Sequence, residues 1–183
     1  MTTDTKVITG RDTRWSYVHV WEPKSFNGGR PKYSVSLIIP KSDRQTVAKI
    51  HTALWAAREH GAAKLCGSGE TVPALDSLKM PLRDGDLERP DDPAYAGSWF
   101  LNASALTPPG IVDASLQEIL DRSEVYSGVY GRASISFYAY NVNGSRGIAC
   151  ALHNLQKLRD GEPLDSRSSA AEDFQDADAA LPD

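Results

Sequence analysis

Cysteine is scarce in this chain: Cys66 and Cys150 are the only two in 183 residues. One chain therefore cannot supply a four-cysteine zinc site, and so wide a pair suits a reducing compartment. No apolar run approaches the roughly 18 residues that would cross a bilayer. Residues Met1 to Gly10 are polar and lack the apolar stretch of a secretory leader, so the expected location is the cytoplasm, with no membrane partner. His19, His51, His60 and His153 show no ligand spacing with the cysteines, and no metal or other cofactor is expected. The glycine-rich phosphate loop, the nucleophile elbow and the dinucleotide fingerprint are all missing. Asp84, Asp86, Asp91 and Asp92 do cluster, and acids can hold a hard cation. They lack EF-hand spacing and a catalytic partner, so a polar loop is expected there and the chain is expected not to be an enzyme. A metal-dependent nuclease centred on Asp84 and Asp86 is the enzymatic alternative.

The charge that is present is unevenly placed. Eight of the 24 acids and one of the 20 bases fall in residues 160–183, which leaves 19 bases against 16 acids elsewhere. The net charge of -4 is thus a body of +3 carrying a tail of -7. Such asymmetry points to a polyanionic partner or an interaction tail, or to a solubilising tail on a near-neutral domain.

Periodicity predicts a mainly β chain with one principal helix. Arg14 to Glu22 and Lys32 to Ile39 alternate as strands, and Asn27-Gly28-Gly29 between them signals a hairpin with a long loop. Tyr33, Val35, Leu37 and Ile39 share one face, and Lys32, Ser34 and Ser36 the other. A helix is predicted from Ser42, with Ser42 and Gln45 at capping-box spacing and Gly61 as the stop. Residues 62–96 are broken by Pro73, Pro81, Pro90 and Pro93 and read as a long irregular insertion, a feature that is often functional. Val125 to Asn141 reads as the clearest strand, bent at Gly128 and Gly131. Asn143-Gly144 turns the chain into a last strand, Arg146 to Leu155. The expected organisation is a flexible N-terminus over 1–12, one domain over 13–164 and a disordered acidic tail over 165–183.

The long strand carries the strongest functional signal. Its odd positions are apolar and face the core. Its even positions hold Tyr126, Tyr130, Arg132, Tyr138 and Tyr140, more aromatic surface than solubility requires. Rings on an open strand accept unstacked bases, while neighbouring cations hold phosphates, and duplexes hide the base faces that such rings need. Trp15, Tyr17 and Trp21 extend this platform if their face is also open, with Lys32 and Arg146 as phosphate partners beside Arg132. The pattern predicts sequence-tolerant binding of single-stranded nucleic acid. The other reading of the aromatic face is an adaptor or structural protein docking a protein partner.

Four motifs sharpen this. Tyr33-Ser-Val-Ser-Leu-Ile-Ile-Pro-Lys41, Pro81-Leu-Arg-Asp-Gly-Asp86, Val125-Tyr-Ser-Gly-Val-Tyr-Gly-Arg132 and Gly147 to Gly161 resemble the single-stranded-DNA-binding proteins of tailed bacteriophages, once catalogued as a domain of unknown function. The resemblance spans about Trp15 to Leu164. It implies an OB-fold, a five-stranded Greek-key barrel, here with one main helix, the long insertion and the acidic tail. It also implies a non-catalytic role in phage DNA replication, recombination or repair in the host cytoplasm. Single-stranded DNA is the implied ligand, and replication or recombination proteins are the partners such an acidic tail would recruit. The tail ends Ala180-Leu181-Pro182-Asp183 without a terminal phenylalanine, a departure from the usual docking peptide. Monomer and homodimer both remain open.

Overall fold

The computed structural model describes residues 4–25, 28–67 and 71–164. The tail expected over 165–183 lies outside the described residues. Eight strands form one sheet: β1 (Lys6–Ile8), β2 (Arg14–Lys24), β3 (Lys32–Pro40), β4 (Arg83–Asp84), β5 (Ser98–Ala105), β6 (Gly110–Val112), β7 (Tyr130–Val142) and β8 (Ser145–Arg159). Five of them close a ring in the order β2-β3-β5-β8-β7. The ring is shut by antiparallel pairing of Arg14 in β2 with Tyr130 in β7 and by a parallel contact between Ser104 in β5 and Ala151 in β8. This is the five-stranded OB barrel, with β1, β4 and β6 added at its edges. Residues 6–8 were expected to be flexible; instead Val7 pairs with Ile135 and is buried, because β1 continues the sheet beyond β7.

Alternation explains the barrel interior. Val35, Leu37 and Ile39 of β3, Leu101 and Ala103 of β5, and Ala133, Ile135, Phe137 and Ala139 of β7 all point inward into one core. The hairpin between β7 and β8 turns on Asn143 and Gly144, with φ of 51° and 84°. Positive φ at both central positions is what a two-residue hairpin loop needs, and Asn-Gly is its commonest solution. β7 begins later than expected: Val125 to Val129 form a turn after a short 3-10 helix (Arg122–Glu124), and Gly128 at φ 124° bends the chain into the strand.

Helix α1 (Arg44–His60) packs on the core through Ile50, Ala53, Leu54 and Ala57. Its cap is Asp43 rather than Ser42: the Asp43 carboxylate accepts from Thr46 N–H at 3.2 Å and from Thr46 Oγ1 at 2.7 Å. Gly61 ends the helix as predicted and leads into α2 (Ala62–Cys66). The insertion is better ordered than its prolines suggest. Beyond α2 it contains β4, paired with β5, a one-turn helix α3 (Gly85–Glu88) and a 3-10 turn at Pro93–Tyr95. Among the described residues no helix is long and apolar enough to cross a membrane.

Candidate nucleic-acid interface

The outer face of β2, β3 and β5 is floored by small polar side chains. Ser36 lies opposite Asn102 and Ser34 opposite Ser104 across β3 and β5, while Ser16 and His19 of β2 oppose Ser36 and Ser34. Cross-strand partners share a face, so these six residues form one surface. Nothing on that floor is larger than an imidazole, and a flat ligand can approach the strands closely.

A bulge in β2 decides which of its side chains reach this face. Tyr17 has φ 47°, and the pairing register slips between Ser16 and His19. Strict alternation would put His19 on the inward face with Trp15. One extra residue at Tyr17 reverses the parity, so His19 faces outward opposite Ser34. Tyr17 itself is pushed out and is 51% exposed.

The floor lies in a groove of about 540 Å³ lined by Tyr17, His19, Lys24, Lys32, Ser34, Ser36, Arg89, Asn102 and Ser104. Asn102 and Ser104 also line a second groove of about 530 Å³, bounded by residues 79–83, Glu88, Tyr140 and Ile148 to Cys150. The two grooves meet at Asn102 and Ser104, and together they form a trough reaching from Tyr17 of β2 to Tyr140 of β7. Tyr138, two residues from Tyr140 on the same face of β7, is 48% exposed and lies opposite Ala149 of the second groove.

The insertion builds the wall of this trough. Lys41, just past β3, places its ammonium 2.8 Å from Asp84 Oδ1 and 2.8 Å from Asp86 Oδ2, and Asp86 also accepts from Gly97 N–H at 2.9 Å. The hydrogen bonds it donates to Asp84 and Asp86 hold the Lys41 ammonium above its usual range. Lys41 and then Gly97 hold the Asp86 carboxyl below its own. Gly85 is required here, since a Cβ would fall onto the Tyr95 carbonyl oxygen and 2.7 Å from that of Ser98. Tyr95 is fully buried, edge-on to Phe100 with ring centroids 5.0 Å apart, and Ile38 completes this small second core. From α3's C-cap Arg89 reaches back to the floor, donating from Nη1 to Tyr17 Oη at 3.2 Å.

The predicted site residues separate into three groups. Tyr17, Lys32 and Tyr140 line the trough, with Tyr138 at its margin. Trp15 and Trp21 do not join them: Trp15, inward before the bulge, is 0% exposed and donates Nε1–H to Gly131 O at 3.1 Å, and Trp21, within a second register slip between His19 and Lys24, packs against the core. The third group serves the fold elsewhere. Tyr126 precedes β7, rests on the core and donates to Gly161 O at 3.0 Å; Tyr130 lies between Arg14 and Arg159, at 5.1 Å and 4.1 Å. Both hold the segment 160–164, which crosses the barrel to place Leu164 against Ile38, Tyr95 and Phe100. Arg132 bonds Gln156 Oε1 at 2.9 and 2.6 Å, and Arg146 donates to Leu65 O at 3.1 Å, anchoring α2.

Sequence reasoning left out His19, Asn102, Ser104 and Arg89. Asn102 and Ser104 were legible as the polar half of an alternating strand, Leu101 and Ala103 being the other half. Arg89 carries no periodic signal, since it sits between breaks at Pro81 and Pro90.

The family model of the single-stranded-DNA-binding protein of Enterobacter phage Enc34 matches residues 5–181. The chain belongs to this family. Protein p50 of Acyrthosiphon pisum secondary endosymbiont phage 1 is 28% identical to it over 177 residues, covering 92% of each chain. The Enc34 protein solved in complex with single-stranded DNA superposes with a TM-score of 0.75 at 23% identity, over 90% of this chain and 95% of that one. The gp2.5 single-stranded-DNA-binding protein of bacteriophage T7 gives 0.63 at 13% identity, over 94% of both. At such identities the structural likeness establishes the fold, and the OB barrel of the Enc34 family is the one described above.

Proposed function

We propose that this chain binds single-stranded DNA without sequence preference, as a non-catalytic protein of phage DNA replication, recombination or repair. The observation that carries the reading is Tyr17, half exposed at a backbone bulge over a floor of Ser34, Ser36, Asn102 and Ser104. Bases stack on Tyr17 at one end of the trough and on Tyr138 and Tyr140 at the other, each stack contributing roughly 1–3 kcal/mol. Lys24 and Lys32 draw in the phosphates, and the Ser34 and Ser104 hydroxyls and the Asn102 amide take base edges of any kind. Family membership supports the ligand class, and the small-residue floor supports its single-stranded form, because a duplex offers no base face to a ring.

The acidic cluster does not favour the nuclease alternative. Asp84 and Asp86 are both engaged by the Lys41 ammonium, and Asp92 Oδ1 accepts from Ala94 N–H.

Fluorescence anisotropy with a labelled oligothymidylate and with its duplex form tests the proposal. We expect binding of the single strand that falls as salt rises, weaker binding of the duplex, and loss of affinity in Tyr17→Ala. No single-strand affinity at low salt would end the reading and leave the protein-docking alternative.

A further inference from the structure

We infer that the insertion is part of the binding site and that Arg89 is its phosphate-binding residue, an inference that rests on the single-strand reading above. Arg89 stands in a box of three rings: its guanidinium carbon lies 5.2 Å from the Tyr17 centroid, 5.0 Å from Tyr95 and 5.4 Å from Phe100. The rings' negative faces hold the cation in place. They do not neutralise it.

Acids precede and follow it in sequence, and the three that precede it face other cations. Asp84 and Asp86 are taken by Lys41, and Glu88 faces Arg83 at 3.6 Å. Among the described residues no carboxylate forms an ion pair with Arg89. Of its five N–H donors, one goes to Tyr17 Oη, and the groove it lines is where the others can be used. A planar, weakly hydrated guanidinium held at a groove without a counter-ion suits a phosphodiester, which accepts two parallel N–H bonds. Lys41 is the positioning residue. It engages the two carboxylates of the wall that would otherwise compete for Arg89, and it fixes the α3 turn that carries it.

The test uses the full chain, a labelled oligothymidylate and a series of salt concentrations, with thermal melting of every variant. Arg89→Ala is expected to bind about tenfold more weakly at low salt and to lower the slope of log K against log salt by about 0.7, the share of one single-strand phosphate. Arg89→Lys keeps the slope but recovers only part of the affinity, since an ammonium lacks the planar fork. Lys41→Met weakens binding in the parent and adds nothing in the Arg89→Ala background. A parent that binds while Arg89→Ala keeps its affinity or its slope overturns the inference and leaves the groove reading standing. Additive loss in the double variant overturns the role of Lys41. A parent that fails to bind overturns the groove reading itself. If Arg89→Ala melts early, Arg89→Gln decides the same question with the side-chain packing retained.

Discussion

The hydroxyls of Ser36 and Tyr95 lie 3.1 Å apart, buried, and join the floor of the trough to the insertion that walls it. One residue belongs to a barrel strand and the other to a turn 59 positions later. Phe in place of Tyr95 keeps the edge-on ring packing and removes the bond, leaving the Ser36 hydroxyl without this partner. We expect a loss of about 1 kcal/mol in urea unfolding. Single-strand affinity should also fall, because the wall loses its polar tie to the floor. Unchanged affinity would mean that Tyr95 serves stability alone.

The tyrosines should divide by position. Tyr138→Ala and Tyr140→Ala are expected to weaken oligonucleotide binding, and roughly 1 kcal/mol or more each is the size of a lost base stack. Arg132→Ala, at the other end of β7 and bonded to Gln156, should leave affinity nearly unchanged. A larger effect from Arg132 than from Tyr140 in the same anisotropy assay would move the site away from the trough.

Trp15 predicts the opposite pattern. It is fully enclosed and hydrogen-bonded to Gly131 O, so Trp15→Phe should destabilise the fold by about 2 kcal/mol through lost packing and an unpaired carbonyl. Gly131→Ala is more severe. Its Cβ would fall onto the Gln156 carbonyl oxygen and 2.6 Å from Trp15 Cζ2, and neither backbone nor a buried ring can yield. We expect about 3 kcal/mol or more, visible as a lowered Tm. A Gly131→Ala protein as stable as the parent would show that the ring closes less tightly there.

Removal of Ser166 to Asp183 should tighten single-strand binding, most at low salt. The segment that precedes the tail reaches Leu164, whose side chain rests on Ile38, Tyr95 and Phe100 at one end of the floor. A random-coil segment as long as residues 166–183 spans roughly 21–25 Å, enough to bring the net -4 of those residues into the trough as a competing anion. Equal affinity of the full and shortened chains at low salt would rule out that competition.

Lys41 and Asp86 give the wall a pH dependence with a defined sign. The depressed Asp86 carboxyl contributes above its ordinary value of 3.8, and the contribution is lost as pH falls through its lower folded value. The raised Lys41 ammonium contributes below 10.5 and is lost as pH rises through its higher folded value. The wall should therefore stay docked across neutral pH and loosen in acid, which NMR signals of the Gly97 amide would report. Loss of the Gly97 hydrogen bond near pH 7 would contradict this.

The sequence by itself determined what depends on neighbours along the chain. Alternation marked β3, β7 and β8 and their inward faces, Asn143-Gly144 marked the hairpin turn, Gly61 marked the end of α1, and four motifs marked the family. Each rests on a local rule of period, turn or cap. Only the tertiary structure decided which outward rings stay open. The Tyr17 bulge shifts parity by one residue, and nothing in Trp15-Ser16-Tyr17-Val18-His19 announces it. Tyr126 and Tyr130 share the even parity of Tyr138 and Tyr140 but are claimed by residues 159–161, about 30 positions further on. Arg89 gained its place because a proline-broken segment folds back against β5, and Lys41 acquired two carboxylates more than 40 positions away. These outcomes depend on contacts between distant segments, and period and propensity carry no record of such contacts.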